Sequence, residues 1–225
     1  MCASYGLGGG LGEFGLTFDL PPMHEPESRE VIAEWIRSSG GTARITGRRA
    51  RNLNPIIHEG FGERRVDPAW WWLHIGADPA PFSAFNSRDD RLLRSWRDAF
   101  QRRAILPASW YVEKGVRFAL PGDEPFGIAA IVSPVAPAAG RPEEPPLLSY
   151  SMVTRAAVGR AVETHPRMPM LLPRESYAAW LDPGRPGDAE LLAASVRASE
   201  DLGAAVVVRE ATGPAAGGSD AATLF

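Results

Sequence analysis

Short β-prone runs at 104–112, 116–120, 126–133, 148–153, 168–172 and 204–208 crowd the second half of the chain, and a single helix-forming stretch, 188–200, separates the last two. That spacing lacks the regular strand–helix alternation of a parallel βαβ sheet, so the fold class read from it is α+β. The first half adds helices. Glu27 to Ser39 places Val31, Ile32, Trp35 and Ile36 on one face and stops at Gly40-Gly41. Leu92, Leu93, Trp96 and Phe100 predict another over 88–100. Trp70, Trp71 and Trp72 precede Leu73 and Ile75 in a β-prone run, where alternation sends Trp71 to the face opposite its neighbours. Asn54-Pro55 reads as a turn.

At 225 residues the chain suits one domain with a substantial core, expected over 1–210. The Gly/Ala-rich stretch 211–225 is expected to be disordered, and 134–146 is a Pro-rich excursion between strands. One cysteine excludes an intrachain disulfide framework and a Cys-based zinc site, and it suits a reducing cytoplasm. His24, His58 and His74 lack metal-ligand spacing, so no metal and no cofactor are assigned. No apolar run is long enough to span a membrane, and the start lacks a signal-peptide pattern. The glycine-rich stretch 6–16 fails the last position of a dinucleotide fingerprint and instead offers a tight bend near Cys2. No Gly-x-Ser-x-Gly elbow is present.

A net charge of −3 argues mildly against a dedicated duplex-DNA binder. The basic residues are nevertheless arginines apart from Lys114, clustered at Arg44, Arg48, Arg49 and Arg51, at Arg64 and Arg65, and from Arg88 through Arg102 and Arg103. Guanidinium forks match phosphate oxygens better than ammonium groups do, although most such residues serve as solvated surface or ion pairs. An exposed tryptophan of the Trp70–Trp72 run could stack on a base, while a buried one would be core.

Cys2 follows Met1 directly. Removal of Met1 would leave an amine and a thiol on adjacent carbons, able to close a thiazolidine on an aldehyde. Asn86 and Arg88 stand just before the helix expected at 88–100, where Asn86 could equally be an N-cap. Glu113 ends a largely apolar run; it is either a desolvated carboxylate suited to proton transfer or a turn residue beside Lys114-Gly115. His165 sits in His165-Pro166-Arg167-Met168-Pro169, a loop stiffened by proline.

Met1-Cys2, Asn86-Ser87-Arg88, the segment from Arg102 to Glu113 containing Leu106-Pro107-Ala108 and Tyr111, and His165-Pro166-Arg167-Met168-Pro169 resemble, in this order, the SRAP (SOS response-associated peptidase) family. The resemblance spans roughly 1–210 and includes Trp180-Leu181. It implies a β-rich, barrel-like core surrounded by helices and a protein that covalently traps abasic sites in single-stranded DNA, with no membrane role, as a cytoplasmic monomer. It makes Cys2 the crosslinking nucleophile once Met1 is gone, by self-cleavage or by an aminopeptidase. Asn86 would position the amine and sugar, Glu113 would handle protons, and His165 would assist opening of the deoxyribose. Arg88, Trp71, Arg102, Arg103 and Arg167 would contact DNA. The chain departs from the family in having Ala3-Ser4 after the cysteine, Trp70-Trp71-Trp72-Leu73 for an Arg-Trp-Gly-Leu segment, and Lys114 after the glutamate. The rival functions are an N-terminal-nucleophile amidohydrolase and a catalytically silent nucleic-acid-binding domain.

Overall fold

The computed structural model describes residues 2–8, 25–60, 62–137 and 147–209. The glycine-rich segment beyond Gly8, most of the Pro-rich excursion and the C-terminal tail lie outside them. In chain order the strands are β1 (Ser4–Gly6), β2 (Thr42–Arg44), β3 (Leu53–Gly60), β4 (Glu63–Trp71), β5 (His74–Ile75), β6 (Asp78–Pro79), β7 (Asn86–Arg88), β8 (Arg103–Ala108), β9 (Trp110–Glu113), β10 (Val116–Ala119), β11 (Phe126–Pro134), β12 (Leu148–Ala156), β13 (Arg167–Pro169), β14 (Leu171–Leu172) and β15 (Val207–Arg209). The helices are α1 (Pro26–Ser39), α2 (Leu92–Ser95), α3 (Tyr177–Leu181) and α4 (Ala189–Ala204).

An eight-stranded mixed sheet has the order β13-β12-β4-β3-β8-β11-β14, with β7 added on β12. Because β11 also pairs with β12, the pairings close into a ring, the observed form of the expected β-rich core. A five-stranded sheet, β15-β10-β9-β1-β2, accompanies it. The helices lie around the sheets, α1 against β3 and β4 and α3 against β8. α1 buries Ile32 and Trp35 and ends on Gly40 in the left-handed region, as its periodicity predicts. No described helix is long and apolar enough to cross a membrane.

The sequence reading misplaces several boundaries. Residues 104–112 form two strands, because the chain leaves the large sheet at Ser109, whose N–H donates to Gly6 of the other sheet at 2.8 Å. Asn54-Pro55 lies within β3 rather than at a turn. Pro55 faces Pro68 of β4, outside the residues where β3 pairs with β8, so the missing N–H groups break no ladder. The helix expected over 88–100 shrinks to α2 flanked by 3-10 turns. Trp96 leaves helical dihedrals (φ −127, ψ 22), and Phe100 then turns inward against Trp180.

Arg103 belongs to the interior. It is 5 % exposed, and its guanidinium donates to the carbonyls of Trp180 (2.6 Å), Phe100 (2.9 Å), Asp182 (2.6 Å) and Arg185 (2.7 Å). These bonds tie the end of α3 to β8 and leave no fork for phosphate. A buried acceptor that loses its donor costs about 1–3 kcal/mol. Arg103→Met strands several at once, so chemical denaturation should record a loss of at least about 3 kcal/mol; wild-type stability with weakened DNA binding would restore Arg103 to the DNA surface.

Candidate functional site

β1 lies between two partners. Ser4, Tyr5 and Gly6 face Arg44, Ala43 and Thr42 of β2 on one side, and Val112, Tyr111 and Trp110 of β9 on the other. The segment preceding β1 therefore runs beside the end of β9, where Glu113 stands. Cys2 is buried there at 1 % exposure, and its thiol donates to the Ser4 carbonyl at 3.3 Å. Burial pushes the thiol up to about 12, with the negative charge of Glu113 adding to the effect. The cysteine thus rests as a neutral thiol.

Glu113 is 3 % exposed, so it is a buried carboxylate rather than an exposed turn residue. The turn begins after it: Lys114 and Gly115 both have positive φ (47° and 80°), the combination that a two-residue hairpin between β9 and β10 requires. Asn86 is not an N-cap. It lies on β7, paired with Met152 of β12, and its Nδ2 donates to the Cys2 carbonyl at 2.6 Å. Its Oδ1 is buried and has no hydrogen-bond partner among the described residues. Residues 84 positions apart in the sequence thus meet at Cys2.

His165 is half-buried, its Nδ1 3.1 Å from the Arg167 N–H and 3.0 Å from the Arg167 carbonyl, so its own loop orients the ring. Arg167 in turn donates to Asp89 at 2.7 Å and to the Thr154 carbonyl. Thr154 of β12 faces Arg88 of β7 and Pro169 of β13. The Asn86–Arg88 strand and the His165–Arg167 segment therefore flank β12, braced by the Arg167–Asp89 pair.

The residues expected to touch DNA separate. Trp71 is core: it is 1 % exposed, stacks on Tyr150, meets Tyr5 edge-on and donates its indole N–H to the Phe85 carbonyl at 2.8 Å. No face of it is open to a base. Arg88 is exposed and forked onto Asp90. Arg102 is exposed too, but it lines a cavity of about 520 Å³ with His58, Asp67, Val132 and Leu148, a lining that includes none of Cys2, Asn86, Glu113 or His165. Phe82, which the sequence reading does not single out, is 51 % exposed and 5.6 Å from the Trp96 ring, on the same stretch of chain as the exposed Arg88, Arg91 and Arg94. Only its isolation among loop residues could have flagged it. Among the described residues, no His, Cys, Asp and Glu side chains cluster to hold a metal.

A sequence model of the family described as SOS response associated peptidase (SRAP) matches residues 50–212, a span that includes Asn86, Glu113 and His165 and begins after Cys2. No curated protein matches the sequence. Among solved structures, the chain is similar to a protein from Bordetella bronchiseptica, with 19 % identity and a TM-score of 0.57 over 92 % of this chain and 98 % of that one. It is also similar to a protein from Bacteroides thetaiotaomicron, with 18 % identity and a TM-score of 0.54 over 73 % and 77 % of the two chains. At these identities the likeness is one of fold.

The buried thiol generates a pH prediction. Folding favours the neutral form, so the contribution of Cys2 to stability is whole below its ordinary pKa of 9.0 and is lost as the pH rises toward about 12. The stability of wild type relative to Cys2→Ala should therefore fall across that window by up to about 1.4 kcal/mol per pH unit. Alkylation by iodoacetamide at pH 8 should be at least about a thousandfold slower in the folded chain than in urea, because only the thiolate reacts. Equal alkylation rates would mean that the thiol is not enclosed.

Proposed function

The chain belongs to the SOS response associated peptidase (SRAP) family, and on that premise we propose that it captures abasic sites in single-stranded DNA covalently, through the amine and thiol of Cys2 once Met1 has been removed. The observation that carries the proposal is the burial of the chain's one cysteine against the Asn86 amide and beside the Glu113 carboxylate. Removal of Met1, by the site's own peptidase chemistry or by an aminopeptidase, frees an amine whose reference pKa of about 7.7–8.0 leaves about a tenth or more of it neutral at pH 7.

An abasic sugar equilibrates between a closed ring and a small amount of open aldehyde. His165 hands a proton to the ring oxygen as the C1–O bond breaks, and the anomeric hydroxyl gives up its proton to solvent, so the aldehyde forms faster; imidazole is suited to such proton transfer. Asn86 holds the Cys2 main chain, so the amine meets the aldehyde carbon in a fixed orientation. Nitrogen bonds to carbon, and Glu113 carries the proton released from nitrogen to the former carbonyl oxygen, forming a carbinolamine. The second proton that this oxygen needs to leave as water comes from the Cys2 thiol by way of Glu113. The thiolate so formed bonds to the iminium carbon and closes the thiazolidine. A thiol that rests protonated is therefore part of the proton balance.

The DNA-facing surface that suits this site carries Arg88, Arg91 and Arg94 with the exposed Phe82 beside Trp96. The guanidiniums answer phosphates and the aromatic pair offers a stacking platform. Arg167, held on Asp89, acts as a brace for the His165 loop.

Incubation with single-stranded DNA carrying one abasic site should give a denaturant-resistant shifted band, and intact mass should read a chain that starts at Cys2. Cys2→Ala keeps the amine and should yield an imine that survives only after borohydride reduction. Glu113→Gln should slow closure by about 10²- to 10⁴-fold with DNA binding little changed. A chain that retains Met1 and still crosslinks would refute the ring chemistry.

For the DNA surface, Arg88→Ala should weaken binding and lower the salt slope by about 0.7, whereas Arg174→Ala should leave both unchanged. Phe82→Ala should cost about 1–3 kcal/mol if a base stacks there. Anisotropy titrations over a range of salt concentrations measure all three. Equal effects of the two arginine variants would move the groove away from Arg88.

A further inference from the structure

Tyr111 is a titratable residue without a task in the chemistry above. It lies on β9 opposite Tyr5 and is 0 % exposed, its ring stacked on Phe118 with centroids 5.1 Å apart. Strand alternation directs it to the same face as Glu113, two residues on. The two phenols of this register pair differ. The Tyr5 hydroxyl bonds to that of Tyr150 at 2.7 Å, whereas the Tyr111 hydroxyl is buried and has no hydrogen-bond partner among the described residues. The ionisable groups that act on it electrostatically are those of the site, the Cys2 thiol and the Glu113 carboxylate. Burial first, and then these two groups, hold the phenol above its ordinary range, so it remains a neutral donor at physiological pH. Buried polar groups in folded proteins are almost always paired, and an orphan donor within the electrostatic reach of reactive groups calls for a partner, which a bound substrate can supply.

We propose that Tyr111 is a further catalytic residue, donating its O–H to the aldehyde oxygen while the Cys2 amine attacks; the proposal rests on the abasic-site reading above. As the nitrogen lone pair bonds to the aldehyde carbon, the C=O π pair moves onto oxygen. The phenol hydrogen bond stabilises that developing charge and Tyr111 keeps its proton. The proton that finally neutralises the oxygen comes from nitrogen through Glu113. Tyr111 thus plays the part of an oxyanion donor fixed in place before the reaction.

Tyr111→Phe removes one oxygen, keeps the ring on Phe118 and breaks no hydrogen bond of the fold. Single-turnover imine formation, trapped by borohydride on single-stranded DNA whose aldehyde is already open, reads the step directly. The maximal rate is expected to fall about 100-fold while the half-saturating DNA concentration stays the same. Thermal melting should be unchanged, and 3-fluorotyrosine at position 111, a stronger donor of nearly the same shape, should hold or raise the rate. A wild-type maximal rate in Tyr111→Phe, a loss confined to the half-saturating concentration, or a fall with 3-fluorotyrosine overturns the role of Tyr111 while leaving the abasic-site reading in place. Wild-type protein that traps no aldehyde overturns both.

Discussion

Three residues of backbone pairing carry the site. β1 is short, yet both of its edges are filled, and further main-chain bonds extend its hold on either side: Leu7 to Gly41, Ile45 to Ala3 and Ser109 to Gly6. The fit is close enough to restrict composition. A Cβ on Gly6 would lie 2.3 Å from the Gly41 carbonyl and 2.5 Å from the Trp110 ring, so a larger residue there would pry β1 from its neighbours. Cys2 is placed because β1 is clamped, and its nearness to Glu113 follows from the register with β9.

The pairing also sets the electrostatics. A cysteine near a chain start would ordinarily meet water and titrate near its usual value. Buried with a carboxylate close by, this one is held neutral, and burial holds the phenols of Tyr5, Tyr111 and Tyr150 neutral as well. A low-dielectric pocket with one carboxylate and several un-ionised donors is suited to moving protons between bound groups, and it discourages stray alkylation of the thiol.

β12 does for the rest of the site what β1 does for Cys2. It pairs in parallel with β7 and antiparallel with β13, and so sets the Asn86 strand and the His165 loop on its two flanks. The Arg167–Asp89 pair locks these flanks together, with both side chains 16 % exposed. An ion pair so enclosed is screened less by salt than the exposed Arg88–Asp90 fork, which is free to exchange its carboxylate for a phosphate.

Much of this was legible locally. The apolar face of 27–39 with Gly40 after it, the run at 126–133 and the helix at 188–200 announce themselves by period and punctuation, because each depends on neighbours a few residues away. The motif residues Cys2, Asn86, Glu113 and His165 could be singled out by residue type and order. What the sequence could not decide was exposure. Arg102 and Arg103 are adjacent and chemically identical, yet one faces solvent and the other caps the carbonyls behind α3; Trp71 sits in a run that suits stacking and is sealed by Tyr5 and Tyr150. Whether Asn86 capped a helix or held the Cys2 carbonyl likewise depended on β7 finding β12 rather than on the residues beside it. Local pattern sets secondary structure because backbone bonding and side-chain period are short-range. Which side of a wall a guanidinium or an indole ends on is set by strand order and register, contacts between residues scores of positions apart, and only the tertiary structure decides it.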